Sequence, residues 1–232
     1  MSNAKHGGRR AASVLLGAVV LFGLSVVAAP AQSTAAGAAA AGLSPYLRLI
    51  PEGREADFGF SSRQEFEMAT LGSPYELMTI HPRNLASDEA AGRDILASMD
   101  TFRYPVLVKG KIRALLTVAR VQGEWKAVDF GAAGLAAAVD RFEENVPGPG
   151  EGARKVLLRL YQLNIDFAGF LPSGQRPEDG LFVPLPSALA AIGAGPDAVI
   201  LYTFPETLKI LRARFAALPE ALRGDVKKKV IR

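Results

Sequence analysis

The fold is decided by residues 103–130, which have the sequence RYPVLVKGKIRALLTVARVQGEWKAVDF. Its strand-like runs, rich in β-branched and aromatic residues, are 103–108, 112–121 and 124–130. They are separated by Lys109-Gly110 and by Gln122-Gly123. A residue followed by glycine between two such runs supplies the positive φ angles that a tight hairpin turn requires. The stretch therefore predicts a three-stranded antiparallel meander.

Helices and strands predicted on either side of this meander indicate the α+β fold class. We expect an antiparallel β-meander sheet packed by helices on one face, with a second αβ segment after a Pro/Gly-rich joint. The predicted helices are 61–72, 88–99, 135–142, 187–192 and 205–218. The further predicted strands are 75–80, 161–167 and 198–204. Because Pro105 has no backbone N–H, we expect the strand that contains it to lie at a sheet edge or to begin there.

The N-terminus has the three parts of a secretory signal peptide. Lys5, Arg9 and Arg10 form a basic head, residues 11–29 carry no charge, and 29–31 (Ala-Pro-Ala) matches a signal-peptidase site. An uncleaved anchor is the alternative, because nineteen uncharged residues could just span a hydrocarbon core. No charged stop-transfer flank follows, which favours cleavage. We therefore predict a signal peptide at 1–31 and a secreted or periplasmic protein.

The rest of the chain divides at composition changes. Residues 32–45 are rich in Ala and Gly and predict a flexible tether. Residues 46–146 are expected to form the α+β domain with the meander. Residues 147–153 contain Pro147-Gly148-Pro149-Gly150 and predict a linker. Residues 154–232 form the second αβ segment, and the two halves are either two subdomains or two parts of one sheet.

The composition excludes several kinds of site. The chain of 232 residues has no cysteine, which excludes disulfides, thiolate nucleophiles and cysteine-ligated metal centres. His6 and His81 are too few for a polyhistidine metal site. Without residues 1–31, 24 of the 27 basic residues remain against 23 acidic ones, a net charge of +1. Nucleic acid is therefore not an expected partner, and no cofactor is expected.

Few side chains are candidates for catalysis, and no nucleophile elbow, P-loop, H-E-x-x-H or dinucleotide-binding glycine motif occurs. His81 is the only histidine outside the predicted leader, but its place between a strand and Pro82 is ordinary for a structural residue. Glu124 and Asp129 are five residues apart, which predicts opposite faces of a regular strand. Asp166 is expected on the solvent-facing side of strand 161–167. No catalytic, cofactor-binding or metal-binding residue is assigned.

These observations favour a non-catalytic binding or protein-interaction module with a protein or peptide partner. A sheet edge or an open sheet face is suited to such a partner. Trp125 could anchor a partner, but a lone aromatic on a hairpin strand is more often part of the core. The alternatives are a carboxylate-dependent hydrolase and a membrane-anchored structural protein, for which the N-terminal segment is the only membrane contact. A hydrolase should bring two acidic groups with raised pKa values together in a concave pocket.

Overall fold

The computed structural model describes residues 34–87, 95–146, 148, 152–172 and 177–223. The predicted signal peptide at 1–31 lies outside these residues. Within them the helices are α1 (Ala35–Leu49), α2 (Pro82–Ala86), α3 (Ala133–Asn145), α4 (Pro186–Ile192) and α5 (Phe204–Ala216). The strands are β1 (Thr70–Leu71), β2 (Tyr75–Ile80), β3 (Leu96–Val108), β4 (Lys111–Val121), β5 (Glu124–Gly131), β6 (Arg154–Leu160), β7 (Ile165–Leu171), β8 (Leu181–Pro184) and β9 (Tyr202–Thr203).

The predicted meander is confirmed as β3, β4 and β5. Lys109 and Gly110 have φ angles of 52° and 78°, and Gln122 and Gly123 have φ angles of 53° and 86°. Both turns thus have positive φ at both central residues, the geometry that matches the twist of a tight hairpin. In the described part of the chain the sheet has nine strands in the order β5-β4-β3-β2-β6-β7-β8-β9, with β1 beside β3.

The two halves of the sequence contribute to one continuous sheet. β2 pairs in parallel with β6, with Tyr75 opposite Lys155 and Met78 opposite Leu158. Every other pairing between the described strands is antiparallel. The described residues, from Thr34 to Arg223, belong to one compact unit. The Pro/Gly-rich segment at 147–153 therefore connects α3 to β6 within that unit, and the α+β class with a mostly antiparallel sheet is confirmed.

Helices pack on both faces of the sheet rather than on one, which corrects the expectation. Successive strand residues face opposite sides, so Leu157 and Leu158 mark the two faces. Leu157 lies in a hydrophobic cluster with Val139 of α3, whereas Leu158 lies in a cluster with Leu211 of α5. A third cluster joins buried Ala39 of α1 to β3 and β4.

The tether predicted at 32–45 is wrong from residue 35 onward, because these residues belong to α1. Alanine has the highest helix propensity, and the Thr34 side chain caps the helix by accepting a hydrogen bond from a backbone N–H. A Cβ atom at Gly42 would lie 2.4 Å from the Cβ of Ala127 in β5. The small residues therefore allow a helix to lie close against a strand.

Three other predicted elements differ from the structure. Residues 161–164 form the loop of the β6–β7 hairpin, so only the second part of the strand predicted at 161–167 is a strand. The helix predicted at 88–99 is wrong for 96–99, which belong to β3, and 88–94 lie outside the described residues. The helix predicted at 61–72 is a 3₁₀ turn at Arg63–Met68 followed by β1. The strand predicted at 198–204 shortens to β9.

Pro105 lies within β3, an interior strand, so the edge prediction is wrong. The Pro105 carbonyl accepts a hydrogen bond of 2.8 Å from the N–H of Gly72, between β1 and β2. In an antiparallel ladder the N–H and C=O of one residue point to the same neighbour. The missing N–H of Pro105 therefore faces the place where the partner changes from β1 to β2 and the ladder is interrupted.

Candidate functional site

One end of the sheet face that carries α3 is only partly covered. Tyr75 pairs with Arg103 on one side and with Lys155 on the other. Directly paired residues share a face, and every second residue along a strand does too. Arg103 and Arg159 therefore lie on the face of Tyr75, but they are partly exposed whereas Tyr75 is buried. We call this end the open face and define it by Thr101, Arg103, Thr117, Arg159 and Asp166.

Arg103, on the open face, has no hydrogen-bond or salt-bridge partner in the described part of the chain. Its Nε atom is buried without a hydrogen bond, and its Nη atoms have no hydrogen bond or salt bridge. Burial, and then the nearby charge of Arg159, lower the pKa of Arg103. The groups that oppose this shift are Asp166, Tyr161 and Asp129. The guanidinium stays protonated at neutral pH, because arginine is a very strong base.

Arg159 has only a loose ion pair. Its Nε lies 3.7 Å from Oδ1 of Asp166, the residue opposite it in the β6–β7 ladder, and this Nε is also buried without a hydrogen bond. The guanidinium carbon lies 5.2 Å from the centre of the Tyr161 ring. Burial raises the pKa of Asp166, whereas Arg159 and then Arg103 act in the opposite direction. The open face thus holds two guanidinium groups and two carboxylates, because Asp129, which pairs with Thr117, also acts on Arg103.

The covered end of the same face differs, because its polar groups are paired. The Tyr75 hydroxyl donates a hydrogen bond of 2.7 Å to Oε1 of Glu143 in α3, and Nζ of Lys155 donates one of 2.7 Å to the same oxygen. Burial and the Glu143 carboxylate raise the pKa of Tyr75, so the phenol is a neutral donor. This network fixes α3 on the sheet and leaves no group free for a ligand.

A groove of about 130 Å³ lies between α3, α4 and residues 196–199. Its lining includes Ala138, Phe142, Val183, Leu185, Leu189 and Val199. At its rim Nη1 of Arg141 lies 2.8 Å from Oδ1 of Asp197. Asp197 is the only carboxylate among the lining residues, and it is strongly exposed. The groove is therefore mainly apolar and holds no carboxylate pair.

A second cavity, of about 280 Å³, lies beside α2 and α5 and includes His81 and Phe215 in its lining. The His81 carbonyl accepts a hydrogen bond of 3.2 Å from the N–H of Leu85 at the start of α2. Within the described ranges no hydrogen bond reaches the His81 imidazole. A histidine base needs an orienting partner and a nucleophile within hydrogen-bond reach. Neither is present here among the described residues.

The predicted positions of Glu124 and Asp129 are wrong, because β5 contains a bulge. Ala127 pairs with Val118 and Asp129 with Thr117, so one extra residue is inserted and both carboxylates face the same side. Glu124 pairs with Val121, four residues from Thr117, which separates the two positions by about 13 Å along the strand. That separation is too large for a glycosidase-type pair. Glu124 instead lies 3.1 Å from Nζ of Lys126.

Trp125 lies on the face covered by α1 and packs against the third hydrophobic cluster. Its ring centre is 5.3 Å from that of Phe102, and the Arg120 guanidinium lies 5.3 Å from it. The interpretation of Trp125 as part of the core agrees with this packing. Its position leaves it away from the open face.

No family model, curated protein or solved structure matches this chain. Among the described residues, no group of three His, Asp or Glu side chains could hold a metal ion. Over the same ranges, no helix combines the length and apolar character needed to cross a bilayer.

The residues that matter most here, Arg103 and Arg159, were not singled out from the sequence. Arg103 is the first residue of a predicted strand, and β6, which carries Arg159, was not predicted as a strand. The available signal was spacing: Lys155 and Arg159 are four residues apart, which places both on one face if 154–160 is a strand. Nothing local indicates that β3 and β6 place their arginines on one surface.

Proposed function

We propose that the chain is an exported, non-catalytic binding or protein-interaction module whose ligand or partner docks on the open face. One observation carries this proposal: Arg103 and Arg159 are partly buried there, yet the protein leaves their hydrogen-bonding capacity largely unused. Buried polar groups are normally satisfied by the protein or by bound water. Groups that are not satisfied internally are available to an external ligand.

The structure of the two edge strands favours the open face, rather than a sheet edge, as the binding surface. β9 has only two residues, and β5 carries a bulge at Val128 beside the charged Lys126 and Glu124. Short, bulged and charged edges are poor templates for adding a strand from a partner. Binding by strand addition, one of the modes considered from the sequence, is therefore disfavoured.

The alternative of a carboxylate-dependent hydrolase rests on Asp166. Burial raises the pKa of this carboxyl group, as expected for a catalytic acid. However, its neighbours are Arg159 and Arg103 rather than a second carboxylate. Of the two described cavities, one contains the single carboxylate of Asp197 and the other contains none. This arrangement supports binding over acid–base hydrolysis.

Export is part of the proposal and depends on the pattern at 1–31. A basic head, an uncharged stretch and a small-residue exit are the features that direct a chain to the secretory pathway. N-terminal sequencing of the protein recovered from the periplasm or the medium tests this directly. We expect a start at Gln32, and a product that keeps residues 1–31 in the membrane fraction would establish the anchored alternative instead.

The binding surface is tested with a blocking substitution and a matched control. Thr117→Arg places a long side chain beside Arg103 on the open face, whereas Val128→Arg adds the same side chain at the exposed bulge of the edge strand. The immobilised mature variants are exposed to the extracytoplasmic fraction, and the retained material is identified by mass spectrometry. We expect Thr117→Arg alone to lose the specific ligand. Equal retention by both variants, or turnover that disappears in Asp166→Asn, would contradict the proposal.

A further inference from the structure

The first turn of α1 lies close in sequence to the predicted cleavage site of the leader. The site at 29–31 is followed by Gln32 and Ser33, and the next residue, Thr34, is the N-cap of α1. Removal of the leader would therefore leave only two residues before the cap. The first of these would be a glutamine, whose side-chain amide can react with its own α-amino group.

The first turn of α1 depends on Thr34. Its side-chain oxygen accepts a hydrogen bond of 3.0 Å from the N–H of Gly37, and its carbonyl accepts one of 2.9 Å from the N–H of Ala38. The first N–H groups of a helix have no partner within the helix, so a side-chain cap stabilises it. Ala38 and Ala39 are buried in the cluster that joins α1 to the meander. Loss of Thr34 would therefore weaken the helix where it packs on the sheet.

A free α-amino group at Gln32 would have two disadvantages for this helix. Aminopeptidases act on free α-amino groups, and removal of three residues would include Thr34. Two residues span at most about 7 Å, so the ammonium form would place a positive charge near the N-terminus of α1, which is the positive end of the helix dipole. The described first turn of α1 contains no acidic residue that could compensate this charge.

We propose that the exported protein begins with a pyroglutamyl residue formed from Gln32. This inference rests on the proposed function, because it requires export and removal of residues 1–31. The neutral α-nitrogen attacks the side-chain amide carbon Cδ, and the new N–Cδ bond closes a five-membered lactam. The Cδ–Nε2 bond breaks, and ammonia leaves with the hydrogen that the amine has lost. An α-amino group is a weak enough base to be partly neutral at neutral pH, so the step needs no further reactant.

The lactam removes both disadvantages. It offers no α-amino group to an aminopeptidase, and it carries no charge near the start of α1. The cap at Thr34 is therefore kept, and with it the first turn of the helix that covers the meander. The same ring blocks stepwise chemical sequencing, so the start of the exported chain has to be identified by mass spectrometry.

The test compares the native chain with the Gln32→Ala variant, both exported from the same host. Alanine has no side-chain amide and cannot form the lactam, and the residues at 29–31 that define the cleavage site are unchanged. The purified exported proteins are kept at neutral pH until their intact masses are constant. We expect the native protein at the mass of residues 32–232 minus one ammonia, and the variant at the full mass of its residues 32–232.

A second measurement tests the protection of α1. Both proteins are incubated with an aminopeptidase and followed by intact mass and thermal melting. We expect the native protein to stay unchanged and Gln32→Ala to be shortened. Once Thr34 has been removed, the melting temperature should fall, as it should in a full-length Thr34→Ala variant that lacks the same cap.

The outcomes distinguish failure of this inference from failure of the proposed function. A native protein that begins at Gln32 and retains its ammonia would overturn the lactam and leave export intact. A different first residue, or retention of residues 1–31, would overturn the predicted cleavage, and the lactam with it. Resistance of Gln32→Ala to the aminopeptidase, or an unchanged melting temperature after loss of Thr34, would overturn the protective role. None of these results affects the test of the open face with Thr117→Arg.

Discussion

Replacing Arg103 with leucine should make the protein more stable. The substitution removes a partly buried charge that has no described partner and that is repelled by Arg159, while leucine keeps apolar contact with the sheet. An unsatisfied buried polar group costs about 1–3 kcal/mol. Because Arg103 is partly exposed, we expect about 1 kcal/mol, which corresponds to a rise in melting temperature of roughly 2–4 °C for a domain of this size.

Arg113→Leu is the matched control, and its effect should have the opposite sign. Arg113 also has a buried Nε without a hydrogen bond, but its Nη2 lies 3.5 Å from Oε1 of Glu65. The Glu65 side chain is only 11% exposed, so removing Arg113 leaves a carboxylate without its cation. We expect a loss of about 1–3 kcal/mol.

Calorimetry and urea unfolding of the two variants at neutral pH decide the matter. The reasoning fails if Arg103→Leu loses as much stability as Arg113→Leu, because Arg103 would then have a stabilising role within the protein. Higher stability with lost ligand binding would instead indicate that Arg103 is kept for function at a cost to the fold.

Three further predictions test other parts of the structure. In calorimetry, Gly134→Ala in α3 should stabilise the protein by about 0.5–1 kcal/mol, because no atom lies within 4 Å of the new Cβ and alanine favours helix. Gly42→Ala in α1 should destabilise the protein, because its Cβ would collide with β5. In an NMR titration, Arg159→Gln should raise the pKa of Asp166 further, because the guanidinium opposes the effect of burial. Hydrogen bonds at the start of α5 lower the pKa of Glu206. The contribution of Glu206 to the stability of the fold is therefore present at neutral pH and is lost as the pH falls through that lowered pKa. Acid unfolding should therefore be less steep in Glu206→Gln.

The parts of the fold that could be predicted depend on local chemistry. The two X-Gly turns of the meander need positive φ, and glycine supplies it without help from the rest of the chain. The helices α4 and α5 begin with proline in the first turn, and α4 ends at Gly193 with a φ of 74°. These signals act over three or four residues and are therefore visible in the sequence.

The wrong predictions concern elements whose structure is determined by packing between segments that are distant in the sequence. The apolar stripe of α1 consists of alanines in its first half, which do not stand out from the small residues around them, and the helix is stabilised by its close approach to β5, which the sequence does not show. The alternation of apolar and polar residues from Tyr161 to Phe167 begins in the loop at 161–164, which contains neither Gly nor Pro. The last residue of this loop, Asn164, adopts a φ of 51°. Residue type alone does not distinguish that loop from a strand.

The candidate site could not be predicted for a related reason. Arg103 and Arg159 share a face only because Tyr75 of β2 pairs with both β3 and β6, and that register is a property of the assembled sheet. The bulge at Val128 likewise changes the face of Asp129 in a way that counting residues does not reveal. In contrast, the absence of cysteine and the scarcity of histidine excluded whole classes of chemistry from composition alone.

The parallel pairing of β2 with β6 also determines how the molecule comes apart. This seam lies in the middle of the sheet, and the side chains along it, including Leu77, Leu157 and Leu158, are buried on both sides. Proteolytic cleavage in the Pro/Gly-rich segment at 147–153 should therefore release no fragment. The two parts of the chain stay associated through the paired strands β2 and β6 until denaturant unfolds both. The two stretches of sequence behave as one cooperative body that a cut in the chain does not divide.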